Sequence, residues 1–216
     1  GRPKPQIYTR RLKLWVFRPD GGHLVNTLLI EQNNIRTAPL YESGLVHMRD
    51  SYRAAFGAEI SFRPPRLVLT MADANQITCA AGIRTHDEGF FSQHYLDQPI
   101  HERLSLQTGC NVQPHDVLEV GGLACRSPFA IYPTLRTVFQ WGQSQQIGWG
   151  IFTATRQIRR LLSRAKITPI LLSKAEATCV PHASQWGCYY EQDPWVCAFR
   201  DPAQVAGHDL TTARAV

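Results

Sequence analysis

A single carboxylate, Glu119, stands two residues before a pair of glycines in the otherwise apolar segment that follows Asp116. The apolar residues favour a buried strand, and Gly121-Gly122 indicates a β-bulge or a place where another backbone or a ligand comes close. A charge beside exposed backbone N–H donors suits acyl-group chemistry. The alternative is a surface glutamate on a strand that turns at two glycines.

Cysteine and histidine offer a weaker case for chemistry. None of the 6 cysteines forms a Cys-x-x-Cys pair and none of the 8 histidines sits at ligand spacing, so we expect no metal site. A covalent acyl-enzyme at Cys125 has no paired histidine in the sequence to support it, and a packed thiol is the expectation there. Counting the cysteines does not exclude disulfides.

Hydrophobic periodicity predicts the elements that position Glu119. Helices are expected over residues 40–56, 99–104, 128–141 and 157–166, and strands over 12–17, 67–71, 77–84, 117–124, 147–153, 169–172 and 196–199. The strand-helix-strand unit over 117–153 predicts a parallel pair whose carboxyl ends share one edge. The expected fold class is α/β or α+β, with a mixed sheet and helices on both faces.

Length and composition indicate one domain over residues 12–216, preceded by a flexible basic arm over residues 1–11. No apolar run approaches the roughly 18 residues of a membrane span. The chain begins without the apolar stretch of a secretory signal, so we expect a cytoplasmic protein. A net charge of +6 favours an acidic partner, namely a carrier protein, an anionic cofactor, nucleic acid or a membrane surface.

Five motifs over about residues 45 to 200 together resemble the bacterial thermostable hemolysin family. They are Tyr52-Arg-Ala-Ala-Phe-Gly-Ala58, Tyr95-Leu-Asp-Gln-Pro99, Glu119-Val-Gly-Gly-Leu-Ala124, Trp149-Gly-Ile-Phe-Thr-Ala-Thr155 and Trp186-Gly-Cys-Tyr-Tyr-Glu191. The order of elements resembles the GNAT acyltransferase fold and the related acyl-homoserine-lactone synthases. The resemblance implies a splayed, GNAT-like sheet and the transfer of an acyl group from a thioester to an amine.

The resemblance also assigns roles to residues. The pantetheine arm of the thioester would lie between the strands that carry Glu119 and Thr153. Glu119 would act as the base, and Tyr189 or Tyr190 would return a proton to the departing thiolate. Backbone amides near the bulge would polarise the thioester carbonyl, and the residues that supply them are Gly121, Gly122, Leu123 and Ala124.

The identity of the donor stays open at this stage. The resemblance implies no tightly bound cofactor, with acyl-carrier protein or acyl-CoA as co-substrate. A Gly-x-Gly phosphate loop is absent between the Glu119 strand and the next helix, although Arg126 and Ser127 could hold one phosphate. A basic cluster fits an acidic carrier protein or, alternatively, a solvated helix face, and it comprises Arg156, Arg159, Arg160, Arg164 and Lys166.

Two more residues are assigned to substrate. Arg84 is expected to pin a substrate carboxylate or to face water, and Trp149 belongs to one of the five motifs. No nucleic-acid-binding motif accompanies the charge. Besides the acyltransferase, a membrane-active hemolysin that binds lipid, as the family name suggests, and a module that binds thioesters without catalysis remain alternatives.

Overall fold

The computed structural model describes residues 15–17, 25–73, 76–164 and 168–200 of the chain. The expected basic arm over residues 1–11 and Lys166 lie outside the described residues, as do residues 12–14 of the strand expected over residues 12–17.

The described residues contain eight strands in one sheet, in the spatial order β1-β2-β3-β4-β5-β6-β8-β7. Neighbouring strands run antiparallel except β5 and β6, which are parallel as expected. The strands are β1 (Trp15–Phe17), β2 (Val25–Glu31), β3 (Arg66–Asp73), β4 (Gln76–Thr85), β5 (Val117–Cys125), β6 (Trp149–Ala154), β7 (Ile170–Lys174) and β8 (Trp195–Arg200).

Strand β2 was not predicted from the sequence, and its position explains why. It pairs with β1 on one side and β3 on the other. Leu28 and Ile30 pack with one core cluster and Leu29 with another, so successive apolar residues face both layers. A strand covered on both faces lacks the alternation of apolar and polar residues by which a half-buried strand is recognised.

All four predicted helices are present among the described residues: α1 (Ala38–Phe56), α2 (Ile100–Thr108), α3 (Pro128–Ser144) and α4 (Arg156–Arg164). Helix α1 ends at Gly57, which adopts φ = +66° and donates its N–H to the carbonyl of Arg53. Glycine takes this left-handed conformation without steric cost, so the chain leaves the helix sharply there.

Helices cover both faces of the sheet. On the α1 face, Leu45 and Met48 of α1 pack with Leu67 and Leu69 of β3, and the side chains of α2 pack nearby against β5 and β6. On the α3 face, Val138 of α3 packs with Val68. Because side chains alternate along a strand, Glu119 and Thr153 belong to the α1 face, while Val120 and Phe152 belong to the α3 face. This arrangement confirms the expected fold class.

Strands β5 and β6 separate part-way along their length. They pair only from Val117 opposite Trp149 to Val120 opposite Phe152. Strand β5 remains paired with β4 as far as Cys125, across a register shift in which residues 122 and 123 both oppose Ala81. Gly122 adopts φ = +61° within this bulge. The bulge expected at the two glycines is confirmed, and it lies where the parallel pair splays open.

Cys125 lies directly opposite Cys79 on β4, and the two side chains form a disulfide. The expectation of a packed free thiol at Cys125 is therefore wrong, as is the alternative of an acyl-enzyme at that residue. Sequence spacing gave no sign of the pair because 46 residues separate the two cysteines. The remaining four cysteines, Cys110, Cys179, Cys188 and Cys197, are free.

No helix within the described ranges is both long enough and apolar enough to cross a membrane. In the same part of the chain, no group of three or more His, Cys, Asp and Glu side chains is placed to hold a metal ion.

Candidate active site

A cavity of about 390 Å³ lies where β5 and β6 separate, and its walls come from both faces of the sheet. The α1 face contributes polar and aromatic side chains, among them Arg84, Ser92, Glu119, Thr153, Trp186 and Tyr189. The α3 face contributes apolar side chains, among them Ile131, Leu135, Phe139, Phe152 and Phe199, and α4 adds Leu161. One continuous space thus joins a polar end to an apolar end through the splayed strands.

Glu119 is buried, with 3% of its surface exposed. Its carboxylate accepts hydrogen bonds from the backbone N–H groups of Phe91 (2.7 Å) and Ser92 (2.8 Å), and from the Ser92 hydroxyl (2.5 Å). Burial raises the pKa of Glu119, and these hydrogen bonds and the charge of Arg84 offset part of the rise. A carboxylate with a raised pKa is a stronger base than an ordinary glutamate, so the geometry suits proton abstraction.

Ser92 connects the two splayed strands, and sequence reasoning did not identify it. Its Oγ lies within hydrogen-bond distance of Glu119 on β5 and 3.0 Å from Oγ1 of Thr153 on β6. Ser92 belongs to a short 3₁₀ helix, Phe91–Tyr95, within the long insertion between β4 and β5, residues 86–116. The only available signal was that the insertion returns to the Glu119 strand, which does not single out one serine.

The two candidate tyrosines occupy different environments. Tyr189 lines the cavity, and its hydroxyl donates to the carbonyl oxygen of Thr153 at 3.4 Å. Tyr190 lies outside the cavity lining and shares a hydrogen bond of 2.9 Å with the hydroxyl of Tyr95. Burial raises the pKa of Tyr189 well above its ordinary value, which favours hydrogen-bond donation over complete proton transfer.

The four predicted residues at the bulge also differ in whether they line the cavity. Gly121, Gly122 and Leu123 line the cavity, whereas Ala124 is buried behind it and its carbonyl oxygen lies 3.1 Å from Nε2 of His47. A Cβ atom on Gly121 would lie 2.8 Å from the Phe62 ring, and one on Gly122 would collide with Met48. The glycines therefore make room for side chains of the protein itself, a reason that the sequence did not suggest.

Arg84 lies on β4 directly opposite Glu119 and lines the cavity. Its guanidinium sits 5.5 Å above the Phe62 ring, and Nη1 reaches the carbonyl oxygen of Glu88 at 3.5 Å. Its Nε is buried and has no hydrogen-bond partner among the described residues. A donor of this kind suits an anionic group bound in the cavity.

Besides Tyr190 and Ala124, three more predicted site residues lie away from the cavity. Trp149 stands at the closed end of the β5–β6 pair, in the core beneath the guanidinium of Arg200. Arg126 is exposed and its N–H bonds the carbonyl of Thr78, while Ser127 immediately precedes α3. The assignment of Trp149 to substrate is therefore not supported, because its ring packs in the core instead of facing the cavity.

The basic helix α4 is only partly available to a partner. Arg159 donates to the carboxylate of Asp193 (2.7 Å) and to two backbone carbonyls, and Arg156 also contacts Asp193. Arg160 and Arg164 remain exposed. Of the four described arginines in this cluster, Arg156 and Arg159 thus stabilise the loop before β8.

The chain resembles known proteins in its sequence and in its fold. The family model described as "Thermostable hemolysin" matches residues 37–204. No curated protein sequence matches the chain.

Solved structures with a similar fold include synthases of N-acyl compounds. LasI, an acyl-homoserine-lactone synthase, matches with a TM-score of 0.54 and 12% identity over 83% of this chain and 90% of its own. BjaI, a CoA-dependent synthase of the same kind, gives 0.51 and 13% over 82% and 83%. FeeM, an N-acyl amino acid synthase from uncultured soil microbes, gives 0.50 and 13% over 81% and 89%. At this identity the likeness shows a shared, GNAT-like fold.

Proposed function

The chain belongs to the thermostable hemolysin family, and on that premise we propose that it is an acyltransferase that moves an acyl group from a thioester to an amine. The observation that carries the proposal is the cavity that joins both faces of the sheet where β5 and β6 separate. One end offers a buried carboxylate for an acceptor that must lose a proton. The other end offers apolar walls for an acyl chain that leaves water.

The thioester donor lies between the splayed strands in this proposal. Beyond Val120 and Phe152 the two strands no longer pair, so their facing edges can bond the amide groups of a pantetheine arm. Gly121, Gly122 and Leu123 line the cavity, and their backbone N–H groups would polarise the thioester carbonyl. The acyl chain then extends to the α3 face, among Leu135, Phe139 and its neighbours.

The amine acceptor binds on the α1 face, beside Glu119. Arg84 lies next to Glu119 across the β4–β5 pair and keeps a buried donor free. An acceptor that carries both an amine and a carboxylate would satisfy both residues, since Arg84 would pair with the carboxylate while Glu119 takes the amine proton. The aromatic rings of Trp186 and Tyr189 wall this end.

The reaction requires one proton transfer from the acceptor and one to the donor thiolate. The neutral amine nitrogen attacks the thioester carbon, a C–N bond forms, and the C–S bond breaks. Glu119 takes the amine proton directly or through the hydroxyls of Thr153 and Ser92, which lie 3.0 Å apart. Tyr189 lies beside Thr153 and would donate a hydrogen bond to the departing thiolate, which takes up its proton from Glu119 or from water as it leaves.

An acyl-carrier protein is our proposed donor, with acyl-CoA as the alternative. The exposed Arg160 and Arg164 would contact an acidic carrier. The connection from β5 to α3 offers only Arg126 and Ser127 near the helix start, which suits one phosphate better than the pyrophosphate of CoA.

Intact-mass spectrometry tests the proposal. Acyl-carrier proteins and acyl-CoA are incubated with the protein and with amino acids, or with the matching amino acid amides that lack the carboxylate. We expect loss of the acyl group from the donor, and an equal amount of N-acyl product, only when an amine is present, with amino acids favoured over their amides. Retention of the acyl group with every amine, or its hydrolysis regardless of amine, would contradict acyl transfer.

A further inference from the structure

The apolar end of the cavity stops at two phenylalanine rings. Phe139 of α3 and Phe199 of β8 line the main cavity and meet edge to face, with ring centroids 4.6 Å apart. Behind them lies a second void of about 10 Å³, which the same two rings also line together with Leu118, Ile147 and Gly150. The pair thus stands between the main cavity and the second void.

A glycine on the neighbouring strand leaves the space that one of these rings occupies. Gly150 of β6 lies directly opposite Phe199 of β8 in the antiparallel pair. A Cβ atom on Gly150 would collide with the Phe199 ring. The absent side chain therefore lets the ring lie over the strand, and Phe152 packs against the ring with centroids 5.4 Å apart. Any side chain at position 150 would push the ring toward the cavity.

We propose that Phe139 and Phe199 form a floor that sets the length of acyl chain the protein accepts, and that Gly150 sets the height of this floor. The inference rests on the proposed function, because it assigns the acyl chain to the α3 face. Each further methylene buried in the cavity adds roughly fourfold to affinity until the chain meets the rings. A longer chain then has to displace packed aromatic side chains, which costs more than the added methylene contributes.

Two opposite changes follow from this geometry. Phe199→Leu and Phe139→Leu shorten the floor residues and open the way to the void behind them, so the preferred chain becomes longer. Gly150→Ala pushes Phe199 into the cavity, so the preferred chain becomes shorter. Phe90→Leu serves as a matched control, because Phe90 is a partly buried phenylalanine outside the cavity lining.

The test measures binding of S-alkyl pantetheine thioethers, from hexyl to hexadecyl, by isothermal titration calorimetry. These probes carry no thioester, so binding is measured without turnover. In the wild type we expect affinity to rise with chain length to an optimum. In Phe199→Leu a probe two methylenes beyond that optimum should gain roughly tenfold relative to the wild type. Gly150→Ala should move the optimum the other way, and Phe90→Leu should not move it.

An optimum that stays fixed in all three cavity variants, or a wild type whose affinity does not depend on chain length, overturns the floor. Thermal unfolding identifies any variant that fails to fold. If Gly150→Ala fails to fold, Phe199→Leu and Phe139→Leu still test the floor. Acyl transfer with an unmoved optimum contradicts the floor but leaves the proposed function standing. Shifted optima without transfer to any amine leave the floor standing and contradict the proposed function.

Discussion

The hydroxyl of Ser92 donates a hydrogen bond of 2.5 Å to Oε1 of Glu119. The two residues are 27 positions apart and come from different elements, the insertion and strand β5. The bond fixes the carboxylate at the point where β5 and β6 separate, and Ser92 also reaches Thr153 on the other strand. A serine in this position can orient the base and pass a proton to it.

Ser92→Ala should lower turnover by about tenfold while leaving the fold intact, since the variant removes a hydrogen bond made by the ionised carboxylate. The loss of that donor raises the pKa of Glu119 further. The acidic limb of the profile of kcat/KM against pH should therefore move to higher pH, and Ser92→Thr, which keeps the hydroxyl, should move it less. An unchanged profile of kcat/KM against pH in Ser92→Ala would show that Ser92 does not influence the protonation of Glu119.

Tyr189→Phe and Tyr190→Phe should behave differently although the residues are adjacent. Tyr189 lines the cavity beside Thr153, so its loss should lower kcat by roughly tenfold, the effect of one well-placed donor. Tyr190 does not itself line the cavity and bonds the hydroxyl of Tyr95, so its loss should cost about 1 kcal/mol of unfolding free energy and leave kcat near the wild type. Rate measurements and denaturant unfolding on both variants check this. Equal effects on kcat would contradict the assignment.

Arg160→Glu with Arg164→Glu should raise KM for an acyl-carrier protein roughly tenfold, because both side chains are exposed and the carrier is acidic. The KM for acyl-pantetheine, which lacks the carrier, should not change. Added salt should weaken the wild-type interaction with the carrier in the same direction. As a contrast, Arg159→Ala should reduce thermal stability, because Arg159 holds Asp193. An unaltered KM for the carrier in the double variant would contradict docking of the carrier on α4.

Local pattern was enough to predict most of the framework. The spacing of Leu45, Met48, Tyr52 and Phe56 predicted α1, and the strand-helix-strand order predicted that β5 and β6 are parallel. These features depend on residues close in sequence. Strand β2 escaped prediction because it is covered on both faces.

The parts of the site that sequence could not supply depend on distant residues. Glu119 was found from its own strand and Thr153 from the family resemblance, but Ser92 reaches them only through the folding of the insertion. Arg159 and Asp193 are 34 residues apart, so the sequence could not show that they form an ion pair. For this reason Arg159 was assigned to a partner. Periodicity carries no information about either contact, since both arise when separate elements pack together.

In the proposed reaction Glu119 accepts the proton of an amine during acyl transfer, and the Glu119→Gln variant isolates this step. Glutamine keeps the size of the side chain and removes the base. We expect single-turnover N-acylation, followed by mass spectrometry, to slow at least about tenfold, or about 1.4 kcal/mol in transition-state stabilisation, with binding of the S-alkyl pantetheine probe unchanged. A correctly folded Glu119→Gln protein that forms N-acyl product at the wild-type rate would contradict the claim.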